Sequence, residues 1–208
     1  MSKLVFFLGG AGAGKTTVAK ALARRSHAAL FDMDTLLRPA AEAVMTLSGL
    51  DPNDRDSALY KTRCRDLGYR ITMDTALENA ELGTDAYIIG PFTRETDDPE
   101  WLESELSRIG ATLDNVEVKV IFVELPGESF YRERILRRGS ALDAWKLDNW
   151  DEFSRSLAPR GVSWPIPESS ILRFDNSGEL SEDKLTLLAR FIEKTDVFNV
   201  YDEETPPR

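Results

Sequence analysis

The sequence predicts an α/β fold in which a parallel sheet is covered by helices on both faces. Three observations predict it. Five short apolar runs suit buried parallel strands, helical patterns separate them, and a glycine-rich stretch, GGAGAGKT at 9–16, joins the first strand to the first helix.

The strands are expected at 3–8 (KLVFFL), 28–32 (AALFD), 85–90 (DAYIIG), 117–124 (EVKVIFVE) and 170–175 (SILRFD). Each is rich in Val, Ile, Leu or Phe, as strands buried on both faces are. Helices are expected at 14–25, 35–48, 55–82, 99–109, 127–138, 148–157 and 181–194. In the first, Val18, Ala19, Leu22 and Ala23 form one apolar stripe at helical spacing. The Pro-rich stretch 158–167 reads as a loop. The 208 residues suit one domain over 1–195, followed by an acidic tail at 196–208.

Composition narrows the function. A net charge of −10 argues against a protein that tracks nucleic-acid backbones, though a few arginines can still converge on a small anion. The apolar runs are far shorter than the roughly 20 residues a membrane span needs, and MSK plus five apolar residues is not a signal peptide. One cysteine, Cys64, excludes an internal disulfide and suits a reducing cytoplasm. With His27 as the single histidine, neither a zinc site nor a Cys–His nucleophile pair has its ligands.

Residues 9–16 match G-x-x-x-x-G-K-[ST], placed after a strand and before a helix as that motif requires. Its glycines allow close backbone approach, so successive N–H groups from Gly10, Ala11, Gly12, Ala13, Gly14, Lys15, Thr16 and Thr17 are expected to ring the phosphates of a nucleoside triphosphate. Lys15 reaches the outer phosphates, Thr16 offers a hydroxyl to Mg2+, and the helix N-terminus adds its positive end. The NKxD guanine reader of GTPases is absent, and the third strand ends YIIGPF rather than in the Asp-Glu of motors. These absences favour a small-molecule kinase.

The second strand ends FDMDTLLRP. Asp32 and Asp34 are two apart, so an extended backbone points both to one side, at the sheet edge where α/β proteins bind ligands. Asp34 is assigned as the base that takes the acceptor's hydroxyl proton, and Asp32 as the metal partner. The alternative is that Asp34 caps a helix beginning at Thr35. After the third strand, Gly90 and Pro91 make a sharp exit that leaves Thr93 and Arg94 facing the cleft, unless Arg94 pairs with Glu95. In YRERILRR, Arg134 shares a helical face with Arg137 and Arg138, and such a basic face can neutralise charge on a transferred phosphoryl group. The turn DNSG at 175–178 follows the fifth strand, where Asn176 is a candidate for the adenine edge.

On GGAGAGKTT, the FDMD pair, SGLDPNDRDS, GPFTRET and RRGSALDAWKLDNWDEF, the chain resembles the P-loop small-molecule kinases related to gluconate kinase, shikimate kinase, chloramphenicol phosphotransferase and the zeta-toxin group. The resemblance implies a P-loop NTPase with sheet order 2-3-1-4-5, a helical lid at about 130–160 and ATP as donor. It makes Lys15, Asp34, Arg134 and Arg138 the catalytic set, with Arg137 and Asn176 on the nucleotide. Related chains tend to carry a basic residue before the lid aspartate, whereas here Leu142 precedes Asp143, leaving Arg137, Arg138 or Lys146 to act.

The acceptor side is expected within about 35–82, where Arg38, Asp54, Arg55, Asp56, Tyr60 and Arg63 join Arg94 and Asp34 as candidate contacts for a polar molecule. The competing reading is one amphipathic helix over 55–82 with solvated charges. Trp145, Trp150 and Trp164 either stack on a ring or pack in the core. The function expected is transfer of the γ-phosphate of Mg-ATP to a hydroxyl of a small metabolite or antibiotic, by a cytoplasmic monomer or homodimer with no nucleic-acid or membrane partner. A nucleotide or polynucleotide 5′-kinase and an ATP-binding regulatory switch are the alternatives.

Overall fold

A computed structural model of the chain describes residues 1–194; the expected acidic tail lies outside the described residues. Its elements run β1 (Lys3–Leu8), α1 (Lys15–Ser26), β2 (Ala29–Asp32), α2 (Met33–Leu47), α3 (Ala58–Arg63), α4 (Arg65–Glu81), β3 (Ala86–Ile89), α5 (Trp101–Ser107), β4 (Glu117–Glu124), α6 (Glu128–Arg138), α7 (Ala144–Asp148), α8 (Trp150–Ser154), β5 (Ile171–Asp175) and α9 (Glu182–Glu193). The strands form one parallel sheet in the order β2-β3-β1-β4-β5, the order the resemblance implied. Phe6 of β1 lies opposite Ile88 of β3 and Val120 of β4.

Alternation along β1 builds the core on both faces. Leu4, Phe6 and Leu8 pack with Met73, Leu77, Phe92, Leu102 and Trp164 on one side. Val5 and Phe7 pack with Val18, Leu22, Leu185 and Leu188, from α1 and α9, on the other. Trp164 is a core residue, its ring stacked on Trp101 at 5.3 Å and its indole N–H donated to the Glu95 carbonyl at 2.7 Å.

α5 is shorter than expected, at 101–107 rather than 99–109, and three other expected helices change with a local cause. α2 starts at Met33 because Asp32 caps it: Oδ1 accepts from the N–H groups of Asp34 at 3.1 Å and Thr35 at 3.4 Å. Asp34 therefore sits in the first helical turn, not on extended backbone beside Asp32, and it is not the cap.

The expected helix 55–82 is two. It breaks at Cys64, where Tyr60 and Cys64 turn into a separate apolar cluster with Leu37, Ala41 and Met45. α4 then buries Gly68, Tyr69, Thr72, Met73, Ala76, Leu77 and Ala80 on one face. A Cβ on Gly68 would lie 2.8 Å from Leu37 Cδ2, so the bare backbone lets α2 cross closely. The expected helix 148–157 becomes α8 and a 3-10 turn at Arg155–Leu157, and a further helix, α7, precedes it, separated at Asn149, whose φ of −118° and ψ of 44° are not helical. Among the described residues no helix is long and apolar enough to cross a membrane.

Candidate active site

The order of the sheet reverses at β1, and the loop after β1 lies at that switch point. Gly9 has φ +135°, and a Cβ there would fall 2.2 Å from the Val123 carbonyl oxygen. Gly14, the N-cap of α1, has φ +95°, and its Cβ would meet Asn176 Nδ2 at 2.4 Å. The loop is thus pressed between β4 and the segment after β5. Its centre is braced: the Ala13 carbonyl accepts from Asn176 Nδ2 at 2.8 Å and from Arg134 Nη1 at 3.1 Å.

Lys15 is half-buried, and its ammonium donates to the carbonyls of Gly9 at 2.9 Å and Gly10 at 3.0 Å. Burial pulls its pKa down to about 8; Asp34 and then Asp32 oppose the fall, while Arg138 and Arg160 add to it. Both acids from FDMD therefore act on the lysine of the phosphate loop, even though one stands on a strand end and the other on a helix.

Thr16 Oγ1 donates to Asp32 Oδ2 at 2.8 Å. A hydroxyl and a carboxylate make an all-oxygen donor pair, which suits Mg2+, a hard ion that keeps most of its shell as phosphate oxygens and water. Among the described residues no cluster of three or more His, Cys, Asp or Glu could hold a metal by itself. The fit is therefore to a metal that arrives with the nucleotide, held by Thr16 and Asp32. Asp34 is exposed at the start of α2, with Arg38 exposed one turn further on.

The arginines of α6 separate into three environments. Arg134 lies against the phosphate loop and also donates to the Asn176 carbonyl. Arg137 points elsewhere, beside Glu133 at 3.7 Å with both side chains largely exposed. Arg138 turns onto Asp143, Nε to Oδ2 at 2.7 Å, while Lys146 Nζ reaches Asp143 Oδ1 at 2.9 Å. Asp143 is only 1% exposed, so one buried carboxylate holds the two cations together. Asn176 has its N–H on the Glu124 carbonyl at 2.9 Å and its side chain on Ala13, which makes it a brace of the phosphate loop.

On the acceptor side, the Arg55 guanidinium lies over the Tyr60 ring at 5.1 Å. Burial pushes the Tyr60 phenol up to about 12, Arg55 works against that, and Asp34 adds to it, so Tyr60 and Asp34 share one electrostatic neighbourhood. Arg63 is exposed at the end of α3, and Arg94 is exposed after β3, where Glu95 Oε2 accepts its backbone N–H at 3.1 Å. Phe92, fully buried with φ +41°, turns the chain there, a costly conformation for a bulky residue.

The structure also brings in residues that sequence reasoning passed over. Arg65 Nη2 donates to Thr93 Oγ1 at 2.7 Å, and its guanidinium lies 5.5 Å from the Tyr69 ring centre. Arg160, inside the Pro-rich loop, reaches the Pro91 carbonyl and acts on Lys15. Asp143 was legible only as a landmark. No local pattern marks Arg65 or Arg160, because their partners lie 28 and 69 residues away.

No family model matches the chain, and no curated protein matches it. Solved structures do. A protein from Chloroflexus aurantiacus proposed to be a kinase aligns at TM-score 0.60 and 17% identity, over 92% of this chain and 94% of that one. A sugar kinase from a Janibacter species aligns at 0.57 and 16%, over 93% and 95%. The APS kinase of Mycobacterium tuberculosis, solved with AMPPNP and APS, aligns at 0.56 and 16%, over 93% and 98%. The fold is that of the P-loop small-molecule kinases; at these identities the likeness speaks for the fold alone.

Proposed function

We propose that the protein is a kinase that moves the γ-phosphoryl group of Mg-ATP to a hydroxyl of a small polar metabolite or antibiotic. The observation that carries this reading is that Asp34 and Asp32 both act on Lys15 from the sheet edge, with Asp34 also acting on Tyr60. A carboxylate at that edge stands where an acceptor hydroxyl would face the outer phosphate.

In this reading the loop N–H groups and Lys15 hold the phosphates, while Thr16 and Asp32 would hold a magnesium ion, which would supply neutralisation of phosphate charge. The acceptor oxygen attacks the γ-phosphorus, the bond from that phosphorus to the β–γ bridging oxygen breaks, and ADP leaves with its electrons. Asp34 takes the hydroxyl proton. Arg138, steered by Asp143, neutralises charge on the transferred group, and Arg134 fixes the loop. The α6–α8 segment closes over the site as a lid, excluding water. A single cysteine suits a reducing compartment, and we read the protein as cytoplasmic.

The test is ATP consumption and phosphoproduct formation across sugars, nucleosides, amino alcohols and antibiotics, with wild type and Asp34→Asn side by side. An acceptor that stimulates only the wild type and gains phosphate supports the reading. The variant should lose roughly 10²–10⁴ in rate while retaining ATP binding. An Asp34→Asn protein as fast as wild type would remove the base and favour the regulatory switch.

A further inference from the structure

Two buried polar side-chain atoms near the acceptor side have no hydrogen-bond partner among the described residues: Arg160 Nη1 and Tyr69 Oη. Buried donors without partners are rare in folded proteins, because each forfeits its hydration without replacement. These two are neighbours. Burial pushes the Arg160 guanidinium below its ordinary range, Tyr69 is the foremost group acting against that, then Asp97; Arg65 adds to the fall and Glu95 opposes it.

Their surroundings are fixed rather than loose. The Tyr69 ring packs on Phe92 at 4.9 Å between centres and under the Arg65 guanidinium at 5.5 Å. Arg65 is itself tied to Thr93. The Arg160 backbone carbonyl accepts from Arg173, and Arg160 Nη2 reaches the Pro91 carbonyl at 3.4 Å, a long contact. Gly9, Gly10, Leu157 and Arg160 line a cavity of about 70 Å³ next to the phosphate loop. Two guanidinium groups and a phenol from two distant parts of the chain, α4 and the loop before β5, thus meet at the exit of β3, and Arg160 alone of the three also lines the cavity beside the phosphate loop.

We propose that Arg65, Tyr69 and Arg160 form a seat for an anionic oxygen group on the acceptor molecule, a carboxylate, sulfate or phosphate. The unmet guanidinium N–H decides the sign. It can only donate, so a ligand must bring acceptor oxygens; the Tyr69 phenol, which can donate or accept and is also within the influence of Arg65 and the Phe92 backbone, offers its O–H to the same group. Glu95 and Asp97 stand nearby, but neither is hydrogen-bonded to Arg160, and Glu95 Oε2 already accepts from the Arg94 backbone. A planar fork meeting a carboxylate or phosphate gives the stronger, charge-assisted kind of hydrogen bond. Asp34 would then face the hydroxyl to be phosphorylated while the anion fixes the far end of the molecule. This rests on the kinase reading and narrows it: neutral sugars and alcohols become poor acceptors.

The experiment measures binding by calorimetry, with the phosphate loop filled by a non-hydrolysable ATP analogue and Mg2+. Probes are inorganic sulfate, inorganic phosphate, and sets of hydroxy compounds differing only in carrying a carboxylate, a phosphate ester or a neutral amide. The proteins are wild type, Arg160→Gln, Arg65→Gln and Tyr69→Phe. An anionic probe should bind the wild type roughly tenfold to a hundredfold tighter than its neutral counterpart. Either arginine variant should erase that preference while still binding the analogue, and Tyr69→Phe should reduce it by a few-fold.

Which anionic member binds best separates carboxylate from phosphate ester. Equal binding of the neutral amide, no binding of any anion, or an unchanged preference in Arg160→Gln would overturn the seat. So would an Arg160→Gln protein that loses the ATP analogue instead, because Arg160 would then belong to the nucleotide. If the analogue fails to bind wild type, the kinase reading itself falls, and the same anion titrations on the nucleotide-free proteins still decide the seat.

Discussion

Asn176 and Ala13, 163 positions apart in sequence, meet through a hydrogen bond of 2.8 Å from the side-chain amide to the backbone carbonyl, buried at the back of the phosphate loop. Arg134 donates to the same oxygen. The shape of the loop therefore depends on the segment after β5 and on α6 as well as on its own glycines.

Asn176→Ala removes one of two donors on a buried carbonyl that Arg134 still satisfies, and should cost about 0.5–1.5 kcal/mol, a fall in Tm of a few degrees for a chain of this size. ATP affinity should drop with it, since the N–H ring loses its brace. Thermal unfolding and nucleotide titration of the variant measure both. Unaltered nucleotide affinity would mean that the glycines alone hold the loop.

Asp143→Asn leaves Arg138 and Lys146 beside each other without the carboxylate that joins them. The expected outcome is a loss in kcat of roughly tenfold to a thousandfold, from one displaced charge-stabilising donor, with the KM for ATP nearly unchanged. Steady-state kinetics would show it. An equal loss in Arg138→Gln, not deepened in the double variant, identifies Asp143 as acting through Arg138.

Lys15 gives a pH dependence with a definite sign. Its pKa in the free protein is about 8, against an ordinary 10.5, mainly through burial. Phosphates placed on the ammonium favour its charged form and raise the pKa, so the complex holds more protons than the free protein at and above pH 8. Nucleotide affinity should fall as pH rises from about 8 towards 10, and binding at about pH 8.5 should take up protons. Calorimetry in two buffers of different ionisation enthalpy reads the uptake directly; identical heats would show that Lys15 is already charged in the free protein.

Trp145 of α7 lies under Lys61 of α3, 5.5 Å from ammonium to ring centre, and the charge of Lys146 acts on Asp56. The segment proposed as a lid thus touches α3, on the side proposed for the acceptor. Trp145→Ala should raise the KM for the acceptor by a few-fold, a cation–π contact being worth about 1 kcal/mol, and increase acceptor-free ATP hydrolysis. An acceptor KM that stays at the wild-type value would leave the contact without a role in closure.

Five strands were legible in the sequence to within a residue at each end, as was the phosphate loop, because each rests on information a few residues long. A strand buried on both faces must be a short apolar run, and a phosphate-binding turn must bring glycines, lysine and a hydroxyl in fixed order. FDMD was legible as a pair of acids, but the division between them was not: Asp32 caps α2, and that cap starts the helix early enough to put Asp34 on its first turn. The break at Cys64 was hidden in the same way. Local spacing favours one long helix, and only packing against Leu37, Ala41 and Met45 bends it. The arginines were visible but could not be ranked. Arg137 has the composition and neighbours of Arg138, yet one pairs with an exposed Glu133 and the other with a buried Asp143. Arg65 and Arg160 carried no signal at all, since their partners are set by how β3's exit and the loop before β5 fold together. Local stereochemistry thus determined the sheet and the phosphate loop, while the side-chain partners, and with them the acceptor site proposed above, came from long-range burial that only the tertiary structure decides.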